Sequence, residues 1–375
     1  MRFAVDRFTE GGKNIAFANN TPTWKLHRKI AGKALRQYMI GTHFEAVLHE
    51  STNKCLPLMA KETGAFNPEN YIDLMVSNIL NAVCFGKRLQ SSPISVGRSL
   101  LDKCNVSGKG FVEDMFPIMY KIWTTKNYFF IGLDAMELAI PLTYKIRDFT
   151  DSLILARKEA EREENEEVLS QLTNTHLRQT LMDIFNDIKT TAMFLTWYRH
   201  FIMVLADIQS KVQEEIDRVV EFLVGQLKDA SGQFFCPLFL AVDELVFRIV
   251  QCVTQKLEVM YDVPQDTVVM INHWALHHDP KYWKDVEKFD PTRYLDENGK
   301  LGMKPESWLP FSAGRRVCLG EVVAKPELHL IFATIMQRFK ITLPEGTNSE
   351  LKLGGSSSNT QPAPFQIIVE DRINT

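Results

Sequence analysis

One ten-residue stretch near the carboxyl end contains residues whose types and spacing suit metal chemistry. Its five anchors follow the pattern F-x-x-G-x-R-x-C-x-G and are Phe311, Gly314, Arg316, Cys318 and Gly320. A cysteine thiolate is a strong metal ligand, and nearby positive charge and a helix N-terminus keep it deprotonated. Gly314 and Gly320 predict tight backbone turns that point amide N–H groups at the sulfur. A lone cysteine is more often a buried structural residue. Here all five anchors of the pattern are present together, which favours a metal-ligand role for Cys318.

This pattern resembles the heme-thiolate loop of the cytochrome P450 family. The resemblance implies that Cys318 is the axial ligand of the iron in heme b, where a thiolate favours cleavage of the O–O bond. It also implies that the planar fork of Arg316 contacts a heme propionate, and that Phe311, Gly314 and Gly320 belong to the same cofactor-binding loop. The apolar run 321–339 predicts the helix whose positive end faces Cys318.

A second pattern, W-x-x-x-R, lies near the amino end. Thr21 and Pro22 predict a helix start, and Trp24 and Arg28 follow on one helix face at i, i+4. By resemblance to P450s, both side chains contact heme propionates, although an aromatic–arginine pair at this spacing is also common on solvated helices. The same segment is rich in positive charge, which by resemblance lies on the surface that docks an acidic reductase. These basic residues are Lys25, Lys29 and Arg36.

Length and composition limit the class of protein. The 375 residues carry a formal net charge of −3, which gives no reason to expect a nucleic-acid partner. The 45% of hydrophobic residues supports a sizeable core, and six cysteines without a C-x-x-C pair are typical of a reducing compartment. No window approaches the ~18–20 apolar residues of a membrane span, and the first residues do not resemble a signal peptide. Relative to animal P450s, we expect the N-terminal anchor helix to be missing.

A long apolar helix is predicted over 181–205, and here the sequence departs from the P450 pattern. The family carries A-G-x-[DE]-T, in which the acid and the threonine relay protons. This chain is about one residue short against that pattern, places Lys189 where the acid is expected, and retains Thr190 as the candidate catalytic relay residue. Because a buried unpaired lysine is costly, the oxygen-activating apparatus is expected to be damaged.

A second departure concerns the E-x-x-R pair, which in P450s joins an arginine of a later segment. Here Glu244 and Arg248 are spaced four apart rather than three, while Arg293 is retained. A buried charge that has lost its partner costs several kcal/mol, so this change is expected to weaken folding and heme retention. His277 and His278 lack further ligands at metal spacing, and structural histidines are the favoured interpretation.

The sequence therefore predicts one domain over residues 1–375, mainly α with small β-sheets and an incomplete sheet region. The segments 24–28, 271–278 and 308–320 most resemble steroid-hydroxylating animal P450s. The resemblance implies a heme-thiolate monooxygenase at the endoplasmic reticulum membrane. It would insert one oxygen atom of O2 into a hydrophobic small molecule such as a steroid, with electrons from NADPH through NADPH-cytochrome P450 reductase. The alternative is a noncatalytic chain of P450 ancestry with impaired heme binding.

Overall fold

The structure is a computed structural model. It describes residues 9–39, 43–85, 148–184, 191, 195, 206–223, 240–244, 271–286, 288–347, 353–354, 361–362 and 365–372. The helices in this part are α1 (Pro22–Met39), α2 (His43–Met59), α3 (Glu69–Phe85), α4 (Phe149–Arg162), α5 (Glu166–Gln171), α6 (Ala206–Leu223), α7 (His273–His278) and α8 (Glu321–Arg338). Residues 174–184 and 240–244 are also helical.

The strands of the described part are β1 (Phe339–Thr342), β2 (Leu353–Gly354), β3 (Gln361–Pro362) and β4 (Ile368–Asp371). They form two small antiparallel sheets, β1 with β4 and β2 with β3. In the first sheet Phe339 faces Asp371 and Thr342 faces Ile368. The prediction of a mainly helical chain with small sheets is confirmed. Of the helices described, none is both long and apolar enough to cross a membrane.

The described residues group into two compact units. The first takes those within 1–55, 70–191 and 322–324, and the second takes those within 56–69, 192–321 and 325–375. The predicted single domain over 1–375 stays a prediction.

In the first unit, α1 begins at Pro22 as predicted. The Thr21 hydroxyl accepts a hydrogen bond from the Trp24 N–H (3.2 Å) and caps the first turn, while Pro22 lacks only an N–H that the first turn does not use. The buried face repeats at three- and four-residue spacing and consists of Trp24, His27, Ala31, Gly32, Ala34, Leu35 and Tyr38. The helix α1 packs against α4.

The helices α2 and α3 are separated around Asn67 and Pro68. The Asn67 side chain accepts from the Glu69 N–H (3.0 Å) where α3 begins. The acidic run 159–167 forms the exposed end of α4 and the start of α5. The Asn165 side chain caps α5 by accepting from the Val168 N–H (3.1 Å).

In the second unit, α6 uses two buried glutamines to bind the backbone around β1. The Gln209 side-chain amide donates to the Ile341 carbonyl (3.0 Å) and accepts from the Ile341 N–H (2.8 Å). One turn later, Gln213 donates to the carbonyls of Met336 (3.0 Å) and Phe339 (2.9 Å). These bonds join α6 to the junction of α8 and β1.

Candidate cofactor site

The predicted cofactor loop lies between buried Phe311 and the start of α8. Its backbone closes on itself, because the Cys318 N–H donates to the Phe311 carbonyl (2.9 Å) and the Ser312 N–H to the Leu309 carbonyl (3.0 Å). A short 3-10 turn spans Gly314–Arg316, after which the Val317 N–H donates to the Gly314 carbonyl (3.2 Å). The loop is therefore a hydrogen-bonded unit rather than an extended connection.

The two glycines of this loop have different roles. Gly314 has a φ of 70°, a left-handed conformation that favours glycine. Gly320 is the N-cap of α8 with φ −74° and ψ −10°, which any residue adopts. The tight turn predicted at both positions is found at Gly314, whereas the backbone conformation of Gly320 does not itself require glycine.

The Cys318 side chain is suited to serve as a metal ligand. The described cysteines, Cys55, Cys84 and Cys318, carry thiols rather than disulfides, and of the three Cys318 is the partly exposed one. The helix α8 begins three residues after Cys318, so the positive end of a long helix dipole lies close in sequence to the sulfur. A reachable sulfur beside a helix N-terminus fits a heme-thiolate ligand, and Arg316 is partly buried in the same loop.

The residues that lead into the loop are held by aromatic and charged contacts. The Lys304 ammonium lies 4.1 Å from the centre of the Trp308 ring, and Lys325 of α8 lies 5.5 Å from that ring and 5.2 Å from the Phe311 ring. Lys325 also pairs with Glu321 (2.6 Å) across the first turn of α8. His277 is fully buried, and its Nε2 accepts from the Leu309 N–H (3.0 Å). His277 therefore has the structural role that the sequence predicted.

Trp24 and Arg28 lie in the first unit. The Arg28 guanidinium is 5.2 Å from the centre of the Trp24 ring, so the two side chains share a helix face as predicted. Trp24 is 4% exposed, and its indole N–H donates to the Ile15 carbonyl (2.9 Å). This bond fixes the ring and with it the direction of the neighbouring guanidinium.

The segment that receives the Trp24 indole is held in turn by Asp183 of the helical residues 174–184. The Asp183 carboxylate accepts from the backbone N–H groups of Ile15 (2.5 Å) and Ala16 (3.0 Å) and from the Asn14 side chain (3.1 Å). Burial raises the pKa of Asp183 to about 6, and the three donors oppose that rise. A chain of contacts thus runs from Asp183 through Ile15 to Trp24.

We expect the Asp183→Asn substitution to remove a pH-dependent loss of stability. Because the pKa is raised in the folded state, the neutral form of Asp183 favours folding below pH 4, and this contribution is lost as the pH rises through about 6. Between pH 4 and 7 the wild type should lose up to about 3 kcal/mol relative to the asparagine variant. Urea unfolding of both proteins across this range measures the difference, and parallel pH profiles would contradict it.

Two predicted features fall partly or wholly outside the described residues. Thr190, the candidate relay, and Lys189 lie outside them, as does Arg248. Glu244 is described, and its carboxylate pairs with Lys304 (2.6 Å). Arg293 binds the backbone carbonyls of Lys284 (2.9 Å), Asp285 (3.3 Å), Lys288 (2.9 Å) and Asp290 (3.0 Å). In the described part, Glu244 is therefore paired with Lys304, where the sequence predicted a buried charge that has lost its partner.

Comparison with known proteins places this arrangement in a family. The sequence model of cytochrome P450 matches residues 2–227 and 242–369. The chain belongs to the cytochrome P450 family. It is a P450 monooxygenase, and membership of the family implies heme as its cofactor.

Several relatives resemble this P450 over nearly its whole length. The steroid 17-alpha-hydroxylase/17,20 lyase of Rana dybowskii is 30% identical, covering 98% of this chain and 76% of the relative. Cytochrome P450 2U1 of Mus musculus is 28% identical, covering 96% of this chain and 72% of the relative. A zebra fish cytochrome P450 solved with progesterone has a TM-score of 0.83 at 25% identity, covering 98% of this chain and 86% of that chain. The helical P450 fold is shared with this structure.

Proposed function

We propose that this P450 hydroxylates a hydrophobic small molecule of the steroid class, with electrons from NADPH delivered by NADPH-cytochrome P450 reductase. The similarity to steroid 17-alpha-hydroxylase/17,20 lyases over nearly the whole chain carries the proposal. Zebra fish P450 chains solved with progesterone and with abiraterone, at TM-scores of 0.83 and 0.80, support the same substrate class. The endoplasmic reticulum membrane, typical of such relatives, belongs to the same proposal.

The proposed roles of the site residues follow from their chemistry. When bound, heme b would supply the oxygen-activating chemistry, and Cys318 is proposed as the residue whose thiolate would hold its iron. The guanidinium groups of Arg28 and Arg316 are proposed to bind heme propionates, since a planar fork matches a carboxylate. The Trp24 indole N–H donates to the Ile15 carbonyl, which fixes the ring. Because the Arg28 guanidinium lies against that ring, we propose that Trp24 orients Arg28. Thr190 is proposed to relay protons.

The proposed reductase surface consists of Lys25, Lys29 and Arg36, which are exposed on α1. We expect conversion of all three to glutamate to weaken reductase-supported turnover about tenfold or more at low salt, because charge pairs steer association. High salt should shrink the difference from the wild type, since it screens exposed charges. A triple variant with the same net charge, at exposed Lys54, Lys281 and Lys340, is the control. Equal loss in both triple variants would contradict a localised docking surface.

The ferrous–carbon monoxide difference spectrum of the chain expressed with heme is the first test of the proposed function. A red-shifted, thiolate-type Soret band supports the proposal and leads to turnover assays with progesterone, reductase and NADPH. Hydroxylated steroid is the expected product. A thiolate-type band without steroid turnover would reject the substrate class. Absence of heme binding would favour the noncatalytic alternative.

A further inference from the structure

Two histidines face each other between α1 and the helical residues 174–184. His27 of α1 is 3% exposed, and the centre of its ring lies 5.1 Å from the centre of the His176 ring. The proposed heme and reductase contacts use neither side chain. Histidine is the side chain whose charge changes between pH 5 and 8, so a packed histidine pair between two helices makes their contact sensitive to acid.

His27 joins α1 to two neighbouring elements. Its Nε2 lies 2.6 Å from the Gln171 carbonyl oxygen in α5, and its Nδ1 lies 2.9 Å from the Thr180 hydroxyl oxygen in the helical residues 174–184. A carbonyl only accepts hydrogen bonds, so Nε2 carries the proton and donates. In the neutral ring, Nδ1 then accepts from the Thr180 hydroxyl. The neutral form of His27 therefore satisfies both partners.

His176 lies in the first turn of the opposite helix. The Thr173 hydroxyl oxygen accepts a hydrogen bond from the His176 N–H (3.4 Å), and it also lies 2.8 Å from Nδ1 of the His176 ring. The amino end of a helix carries the positive end of its dipole, which disfavours a cation there. Protonation of both rings would therefore place two cations against each other beside a positive helix end.

The neighbouring charges also favour neutral rings. Lys13 of the segment 9–18 adds positive charge near His176. The acids of α5, Glu166 and Glu167, lie in its first turn, at the opposite end from Gln171. Two further cations that contact the helical residues 174–184 are paired with acids, Arg178 with Glu10 (3.4 Å) and Arg157 of α4 with Glu161 (3.1 Å).

Burial lowers the pKa of both histidines. For His27 the hydrogen bond to the Gln171 carbonyl opposes this effect, whereas for His176 burial, the His27 ring and Lys13 together lower the pKa to about 4. A histidine whose pKa is lowered on folding stabilises the folded state fully above its ordinary pKa of 6.5. This contribution is lost as the pH falls through 6.5 toward 4.

We propose that His27 and His176 form an acid-sensitive clasp, which holds α1 against the helical residues 174–184 while both rings are neutral and releases it when they become protonated. The helix α1 also carries Arg28, whose guanidinium lies 5.2 Å from the centre of the Trp24 ring. Release of α1 therefore loosens the arginine that is proposed to bind a heme propionate. This consequence rests on the proposed function, whereas the clasp itself does not.

The expected size of the response follows from the pKa of His176. A fall from 6.5 to about 4 corresponds to roughly thirtyfold in the equilibrium between the closed and the open clasp at pH 5. The His176 side chain is half-buried, so screening by solvent reduces this to about tenfold. Asp183 acts in the opposite direction, because its pKa is raised to about 6 and its neutral form stabilises the folded state at low pH. The clasp is therefore tested by comparing variants at each pH.

The test measures amide hydrogen exchange of purified full-length chains at pH 7.5 and pH 5. His176→Gln removes one ring of the clasp, and the matched control His49→Gln removes a histidine of α2 whose side chain is 50% exposed. Between these pH values, the protection of α1 in the wild type should fall about tenfold relative to His176→Gln, with β1 as the reference. His49→Gln should follow the wild type. Parallel pH profiles of the wild type and His176→Gln, or equal losses in α1 and β1, would overturn the proposal.

Asp183→Asn provides a variant that keeps both histidines. It removes the opposing titration, so the protection of α1 should fall more steeply between pH 7.5 and pH 5 than in the wild type. This comparison decides the question if His176→Gln does not fold. A flat α1 profile in Asp183→Asn would then show that no acid-sensitive contact holds α1.

Heme-loaded chains give a second readout, which separates the clasp from the proposed function. Between pH 7.5 and pH 5, transfer of heme to heme-free myoglobin should accelerate about tenfold in the wild type relative to His176→Gln. A wild type that binds no heme, while its α1 protection depends on His176, would reject the function and support the clasp. A thiolate-type band in the wild type, with parallel α1 profiles in His176→Gln, would support the function and reject the clasp.

Discussion

The Cys318→Ala variant will lose the red-shifted ferrous–carbon monoxide band completely, and its monooxygenase activity with it. A thiolate is the ligand that shifts this band and drives P450 chemistry, and Cys318 is the residue proposed to supply it. Its side chain is partly exposed and lies three residues before α8. The difference spectrum, normalised to total heme, measures the effect.

Cys55 provides the matched control. It is fully buried in α2, and burial raises the pKa of its thiol to about 12. The thiolate is the metal-binding form of cysteine, so Cys55 stays protonated near neutral pH and does not serve as a ligand. Cys55→Ala should therefore keep the thiolate-type band, although the cavity left in the core lowers stability by about 1 kcal/mol or more.

A further variant separates loss of the sulfur from loss of heme. Cys318→His offers a neutral nitrogen ligand at the same position and should retain some heme while showing an unshifted band. A red-shifted band in either Cys318 variant would show that another residue is the ligand, and the assignment of Cys318 would be wrong.

Gln209→Leu will lower the free energy of unfolding by about 2–4 kcal/mol. The substitution leaves both the N–H and the carbonyl of Ile341 without the Gln209 amide, and each unsatisfied buried group costs about 1–3 kcal/mol. Ile341 is 1% exposed, so water cannot readily replace the lost bonds. Urea unfolding followed by circular dichroism measures the change.

The neighbouring Lys211→Leu variant is the control for this prediction. Lys211 is exposed on the same helix, so its replacement should change stability by less than about 0.5 kcal/mol. Gln209→Glu keeps the acceptor but loses the donor and buries a charge, and it should destabilise the protein as well. Equal stability of Gln209→Leu and Lys211→Leu would mean that the bonds to Ile341 contribute nothing.

The sequence predicted the features that depend on local spacing. Pro22 after Thr21 specifies the start of α1, because a capping hydroxyl and a residue without an N–H both suit a first turn. The anchors around Cys318 are contiguous, so the loop is recognisable without knowledge of distant contacts. Gly314 has the left-handed backbone expected of a glycine in a tight turn.

The sequence did not predict the contacts between distant polar residues. Lys304 and Glu244 are 60 residues apart and lie in no repeating pattern, so the changed E-x-x-R spacing predicted weakness at Glu244, where the structure has an ion pair with Lys304. The burial of the glutamines of α6 cannot be read from their residue type, because glutamine is usually exposed. They are buried because their side-chain amides bind backbone groups of Ile341 and Phe339, and buried backbone groups require hydrogen-bond partners.

The contact between α6 and β1 also bears on whether the edge of β1 is open to pairing with another chain. A strand edge with unpaired N–H and carbonyl groups is a template for pairing with another chain. One edge of β1 is paired with β4, and the other presents the N–H and carbonyl of Ile341 and the carbonyl of Phe339 to Gln209 and Gln213. The two side-chain amides thus bind the backbone groups that a neighbouring strand would otherwise bind. Their hydrogen bonds leave this edge of β1 without the free backbone groups that a strand from a second copy would need.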